Sequence, residues 1–191
     1  MCLDEIDQWD ASHPQNVRDA WKRTRSYKSC MEFAVCSPTT QQGQIYREFM
    51  MGSQGYYTLR CRHCGKLTMR SCDTNNLQFE ADYNEALKTH IVKKGTERLI
   101  CPICKHEHTE ADKAWMIQNG AYVHVIPDLV KERPSFQIGA LASQLPALSW
   151  SEIATAQLEA GKTSDVSIQQ NFDSSWRRPA LHPEKSHQAR S

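Results

Sequence analysis

Cys61-Arg62-His63-Cys64-Gly65 and Cys101-Pro102-Ile103-Cys104-Lys105 are the two stretches on which the reading of this chain turns. Two sulfurs separated by two residues sit on one tight turn and grip one face of a metal ion, and a second pair completes a tetrahedron. Gly65 suits such a knuckle, because the residue after the second cysteine often takes a left-handed backbone that glycine adopts without steric cost; Lys105, in the matching place, is merely tolerated. Each pair follows an extended segment, residues 56–60 and 98–100. The layout is that of a zinc ribbon, with Cys61, Cys64, Cys101 and Cys104 as ligands of one structural Zn2+. A redox dithiol uses one CxxC at the head of a helix, not two matched copies with aliphatic lead-ins. Four thiolates leave no open position for water, so the ion organises the fold and does no chemistry. His63, His106 and His108 lie near enough to be rival ligands, with solvated loop histidine as the default for each.

With 191 residues and 39% hydrophobic content, the chain holds one medium domain or two small ones, and its core must be small or shared. A net charge of +1 argues neither for nor against a nucleic-acid partner. The opening residues lack the basic start and apolar run of a secretory signal, and no stretch approaches membrane-spanning length. A soluble intracellular protein is expected. In that compartment eight cysteines point to metal-bound and reduced thiols, leaving Cys2, Cys30, Cys36 and Cys72 reduced outside the knuckles.

Met1-Cys2-Leu3-Asp4-Glu5-Ile6-Asp7 is an apolar segment running straight into acids, the form of a Walker B motif. In a phosphate-loop ATPase the first acid, here Asp4, helps hold magnesium and the next, Glu5, orients the attacking water. Taken alone, such a pair is also what a solvated turn looks like. Residues 10–14 read as a turn and residues 16–25 as a helix with Val17 and Trp21 on one face; Arg18, Lys22, Arg23, Arg25 and Lys28 make its surroundings basic. Residues 30–36 read as a strand stopped by Pro38, which leaves the hydroxyls of Ser37, Thr39 and Thr40 at its carboxyl end, where this fold class binds phosphate. A short helix containing Ile45 and Phe49 precedes the first knuckle. Between the knuckles, residues 75–79 alternate like a strand and residues 82–90 read as a helix around Tyr83, Ala86 and Leu87. After the second knuckle come a helix over 110–119, a strand over 121–125, an apolar segment over 136–141, and a helix opened by the capping box Ser149 to Glu152 and ended by Gly161. A short helix from Asp165, carrying Ile168 and Phe172, leads into a tail without periodicity from Asp173.

This order of motifs, out to about Arg178, resembles the large subunit of lambda-type (GpA-like) phage terminases, the motors that package DNA into procapsids. Its most specific parts are Leu3-Asp4-Glu5-Ile6-Asp7, the double knuckle and Ala147-Leu148-Ser149-Trp150-Ser151-Glu152-Ile153-Ala154. The resemblance implies that Asp4 and Glu5 are the Walker B acids and that Ser37-Pro38-Thr39-Thr40 is the coupling motif. It implies ATP and Mg2+ as ligands of the parent protein, an endonuclease within that parent, and double-stranded viral DNA, the terminase small subunit and the portal as partners. It also implies the bacterial host cytoplasm as location, no membrane partner, and oligomers only within the full motor.

The expected fold class is an α/β remnant of a phosphate-loop ATPase with few strands and helices, a small zinc-ribbon α+β module, a helical connector and a disordered C-terminal tail. The corresponding segments are 1–50, 51–126, 127–172 and 173–191. No Gly-x-x-x-x-Gly-Lys-Ser/Thr occurs in the sequence, and no cluster of acids follows Phe172 to hold nuclease metal ions. The chain is therefore expected to be an internal piece of a terminase large subunit that hydrolyses no ATP alone. The alternative is a stand-alone zinc-ribbon module that binds nucleic acid or a protein through Arg60, Arg62, Lys66, Arg70, Lys93, Lys94 and Lys105.

Overall fold

Among the described residues two hydrophobic cores lie along the chain, in a mixed α/β fold with few helices. The computed structural model describes residues 1–9, 15–38 and 43–162. Thr39 and Thr40, the turn expected at 10–14, the helix expected from Asp165 and the tail from Asp173 lie outside the described residues.

Strands β1 (Cys2–Asp4) and β2 (Phe33–Val35) run parallel, with Cys2 opposite Phe33, Leu3 opposite Ala34 and Asp4 opposite Val35. A parallel pair needs a crossover, which contains helix α1 (Gln15–Lys22). The helix buries Val17 with Leu3 and Ile6, and Trp9, Ala20, Trp21 and Ala34 pack around them. Because successive strand side chains point to opposite faces, Phe33 and Val35 are left on the other side, 54% and 44% exposed. The helix is shorter than expected, so Arg23 and Arg25 lie beyond it.

Helix α2 (Gln44–Met51) bridges the two cores. At its start the Asp7 carboxylate accepts the Ile45 N–H at 2.8 Å. At its end Ser135 Oγ donates to the Phe49 carbonyl at 3.0 Å, and Arg133 pairs with Glu48 at 2.6 Å.

The second core is built on strand β3 (Gly55–Arg60), whose Tyr-Tyr-Thr run favours a pleated surface. It pairs antiparallel with β4 (Leu67–Arg70) and β10 (Ala121–His124) and parallel with β11 (Phe136–Gln137). Thr58 pairs with both Arg70 and Ala121, and Gly55 with both Phe136 and His124, so β4 and β11 share the edge opposite β10. Strands β5 (Leu77–Gln78), β8 (Arg98–Ile100) and β9 (Glu107–His108) form a second antiparallel sheet. Helix α3 (Glu110–Gln118) and helix α4 (Trp150–Lys162) cover the core, where Leu59, Met69, Leu99, Met116, Leu141, Trp150 and Ile153 are buried together. Glu110 of α3 accepts the Trp150 N–H at 2.8 Å, and Ser149 Oγ accepts the Glu152 N–H at 3.3 Å, so α4 begins on both its own cap and its neighbour.

Two expectations are corrected. Residues 82–90 form no helix: β6 (Ala81–Asn84) and β7 (Thr89–Val92) make a hairpin. Asn84 Oδ1 accepts the Leu87 N–H at 3.0 Å and Lys88 has φ +49°, so an Asx-type turn replaces the helical one. Helix α4 passes through Gly161 to Lys162, whose ammonium donates to Thr89 Oγ1 and the His90 carbonyl at 2.9 and 2.6 Å, tying that last turn to β7. The apolar segment 136–141 opens as β11; Gly139 then approaches Ser71 and Cys72 so closely that a Cβ would lie 2.3 Å from Cys72 Cα, and a 3-10 turn inserts Ala140, Leu141 and Ala142 into the core.

Candidate metal centre

Each cysteine pair lies between two strands, β3 and β4 for the first and β8 and β9 for the second. The two turns are built alike. Cys61 N–H donates to the Lys66 carbonyl and Cys101 N–H to the His106 carbonyl; Gly65 N–H donates to the Cys61 carbonyl and Lys105 N–H to the Cys101 carbonyl. Gly65 and Lys105 have φ of +71° and +59°, so the lysine takes the same left-handed backbone as the glycine.

The turns bring all four sulfurs together, within 4.8 Å of one another. Cys61 and Cys104 Sγ are 3.6 Å apart, and Cys64 and Cys101 Sγ are 3.9 Å apart. A tetrahedron with metal–sulfur bonds of about 2.3 Å has edges of about 3.8 Å. The spacing fits one metal ion held by four sulfurs and is far from the roughly 2.05 Å of a disulfide. Cys61 and Cys101 are fully buried, whereas Cys64 and Cys104 are half-buried.

Burial pushes the Cys61 thiol up to about 12. Burial acts the same way on Cys101, but the N–H groups of Cys104 and Ile103 and the Thr68 hydroxyl outweigh it and bring that thiol down to about 6. In the metal-free protein Cys101 is therefore the first thiolate, and a metal must expel the Cys61 proton.

His63 and His106 are exposed and stacked on each other, ring centroids 4.7 Å apart. His108 departs from the expectation of a solvated loop histidine: it is fully buried on β9 and its Nε2 lies 3.2 Å from Cys61 Sγ. Burial lowers its pKa, as does the neighbouring His106, which favours the neutral ring. Thr68 Oγ1 lies 3.6 Å from Cys101 Sγ. Sequence reasoning placed His108 near the cysteines but left it solvated by default and missed Thr68, although each residue stands seven positions after the first cysteine of its own knuckle. Helix α3 is fastened to the same centre: Arg62 pairs with Asp112 at 2.9 Å, and Asp112 Oδ2 accepts the Thr109 N–H at 3.1 Å. Burial would raise the Asp112 carboxyl, yet the Thr109 N–H and the Arg62 guanidinium hold it below the usual carboxylate range.

At the other core, Asp4 ends β1 beside Val35, and Glu5 N–H donates to the Val35 carbonyl at 2.9 Å. Glu5 has φ +50°, a left-handed conformation that costs a non-glycine residue about 1–2 kcal/mol. Its carboxylate accepts from Gln8 Nε2 at 2.9 Å and from the Cys36 thiol at 3.7 Å. Burial raises the Cys36 pKa, so the thiol keeps its proton for that contact. Ser37 is exposed two residues past the end of β2. The parallel register thus delivers Asp4, Glu5 and Ser37 to the same end of neighbouring strands.

The family model for the ATPase domain of the phage terminase large subunit gpA matches residues 1–122, more than half of the chain. The chain belongs to this family. The matched terminase span takes in β1, β2 and all four cysteines. No curated protein and no solved structure matches the chain. Among the described residues no helix is long and apolar enough to cross a membrane.

Proposed function

We propose that this chain forms the Walker B edge, the coupling segment and the zinc ribbon of a terminase large subunit, whose parent motor packages viral DNA in the host cytoplasm and carries an endonuclease. One observation carries the reading: within the span that matches the family's ATPase domain, β1 and β2 run parallel and bring Asp4, Glu5 and Ser37 to one end. Bound Mg2+ and ATP supply the phosphoryl group and the charge neutralisation. In this reading Asp4 holds the metal's shell, Glu5 orients water, and Ser37 with Thr39 and Thr40 passes the nucleotide state onward. Cys61, Cys64, Cys101 and Cys104 hold one structural zinc, for which an all-sulfur set is well suited. Double-stranded DNA, the small subunit and the portal are partners of the assembled motor.

The test is Glu5→Gln in the assembled motor that contains this chain. ATP turnover should fall by roughly 10²–10⁴-fold with nucleotide binding retained; unchanged turnover refutes the Walker B role. A stand-alone zinc-ribbon binding module is the second reading, favoured by a cysteine-centred core that closes on itself. Against it, Arg60 is engaged by the Gly65 and Asn119 carbonyls, Arg62 by Asp112 and Lys93 by Glu80, which spends much of the candidate basic surface internally. Salt-sensitive binding to DNA by the chain alone would favour this second reading.

A further inference from the structure

The two knuckles are related by more than their cysteines. Register partners Arg60 and Leu67 in the first correspond to Ile100 and Glu107 in the second, each shifted by 40 positions. Under that shift Thr68 corresponds to His108. Each stands on the strand that returns from its own knuckle, and each reaches across to the first cysteine of the other: His108 Nε2 to Cys61 Sγ at 3.2 Å, Thr68 Oγ1 to Cys101 Sγ at 3.6 Å. Thr68 is the extra residue of a β-bulge between the Leu59–Met69 and Arg60–Leu67 pairs, and a bulge re-aims a side chain. Cys61 and Cys101 are the two sulfurs that water cannot reach, both 0% exposed.

Four thiolates around one dication leave a net charge of −2, and a buried anion is costly unless it accepts hydrogen bonds. Half-buried Cys64 and Cys104 can draw on solvent, whereas Cys61 and Cys101 cannot. We propose that His108 and Thr68 are paired positioning residues that donate N–H and O–H across the knuckles to the two buried thiolates, fixing those sulfurs and slowing release of the metal. This rests on the zinc-ribbon reading above. A metal-bound thiolate only accepts, so His108 carries its proton on Nε2, and its buried Nδ1 has no protein partner. A nucleophilic Cys61–His108 pair is the competing use of the same contact, but a sulfur with no exposure meets no substrate. Direct ligation by His108 is the other competitor. The ligand atoms that lie within 4.8 Å of one another are the four sulfurs.

The test compares the full chain with Thr68→Val, His108→Leu and the donor-retaining Thr68→Ser and His108→Gln, each loaded with Co2+ and, separately, Zn2+. The sulfur-to-cobalt charge-transfer intensity should count four thiolates in every protein. The band should move in Thr68→Val and His108→Leu, and zinc transfer to a chromogenic chelator should quicken by about tenfold or more in His108→Leu and by less in Thr68→Val. Thr68→Ser and His108→Gln should return toward the parent values. A three-sulfur cobalt spectrum in the parent, or band positions and release rates unchanged in Thr68→Val and His108→Leu, overturns the proposal. A parent chain that takes up neither ion removes the zinc-ribbon reading itself, a different outcome. Should His108→Leu fail to fold, Thr68→Val against Thr68→Ser makes the same comparison at the other donor.

Discussion

Residues 1–38 and 55–162 both bury a sheet, but with unequal means. Around β1 and β2 the buried apolar side chains among the described residues are Leu3, Ile6 and Val17, and one apolar face of the pair stays open. Parallel sheets are ordinarily covered on both faces, so this half is stabilised on one side alone. Around the cysteines, strands of two to six residues surround a core that runs from Leu59 to Ala154 and takes in the buried thiols of Cys61 and Cys101. Short strands contribute little each, and on the zinc-ribbon reading proposed above a metal ion gripping two turns would replace the area they fail to bury. The second region closes on a core of its own, while the first leaves one face of its strand pair dependent on further cover.

The largest effect that would break this contrast is loss of the centre. Structural zinc contributes on the order of 10 kcal/mol or more to folding, so Cys61→Ser or a strong chelator should unfold residues 55–162 as a unit. Zinc content and hydrogen exchange read by mass spectrometry check it: the Cys61→Ser chain should hold no zinc and lose protection across β3 to α4. A variant that keeps both its melting profile and its zinc would erase the distinction between the halves. Next in size is Leu141→Ala. Leu141 is fully buried in a turn fastened by the Leu141 N–H to the Ser71 carbonyl, and its truncation should cost about 2–5 kcal/mol. Leu3→Ala should instead raise exchange only within residues 1–38. If Leu3→Ala lowered the main thermal transition as far as Leu141→Ala does, the two cores would be one cooperative unit.

Acid sharpens the contrast further. Protons compete with the metal for thiolate, so between pH of about 6 and 12 the ionised Cys101 needs no deprotonation, while Cys61 must give up its proton. Apparent affinity should therefore fall by about tenfold per pH unit for each proton displaced. Below about 6 Cys101 binds its proton too, and the slope should steepen by one more proton. Chelator competition across that range measures it, and a slope unchanged through pH 6 would mean that Cys101 is not held ionised. Asp112 behaves in the ordinary carboxylate sense: its depressed pKa stabilises the fold above the usual carboxylate range, and that contribution fades as pH falls through the folded value.

Much of this was legible in the residues, for physical reasons that also mark the limits. CxxC spacing fixes geometry locally, and the meeting of Cys61, Cys64, Cys101 and Cys104 follows from it. The acids at the end of β1 were legible as a strand end, but their strained Glu5 backbone and its Cys36 contact depend on β2, about 30 residues away. Tyr83, Ala86 and Leu87 have helical spacing, yet Tyr83 and Leu87 are exposed, so the period recorded no buried face. The Asn84 turn and the β-branched Ile91 and Val92 decided that segment instead. His108 stood on a two-residue strand, too short for any alternation to show that its ring points inward.

The smallest effect tests the likeness of the two knuckles most directly. Gly65 and Lys105 share one left-handed conformation, but only glycine takes it without cost. A Cβ at Gly65 would meet nothing within 4 Å, so Gly65→Ala should lose about 1 kcal/mol through torsion alone. Lys105→Gly should gain, because relief of about 1–2 kcal/mol of strain exceeds the roughly 0.5–1 kcal/mol of extra chain entropy that glycine brings to the unfolded state. The two changes should therefore move the melting temperature of the metal-loaded protein in opposite directions, by roughly 2–4 °C per kcal/mol. A Lys105→Gly variant that melts lower would show that the lysine side chain, not the backbone, holds the second turn in place.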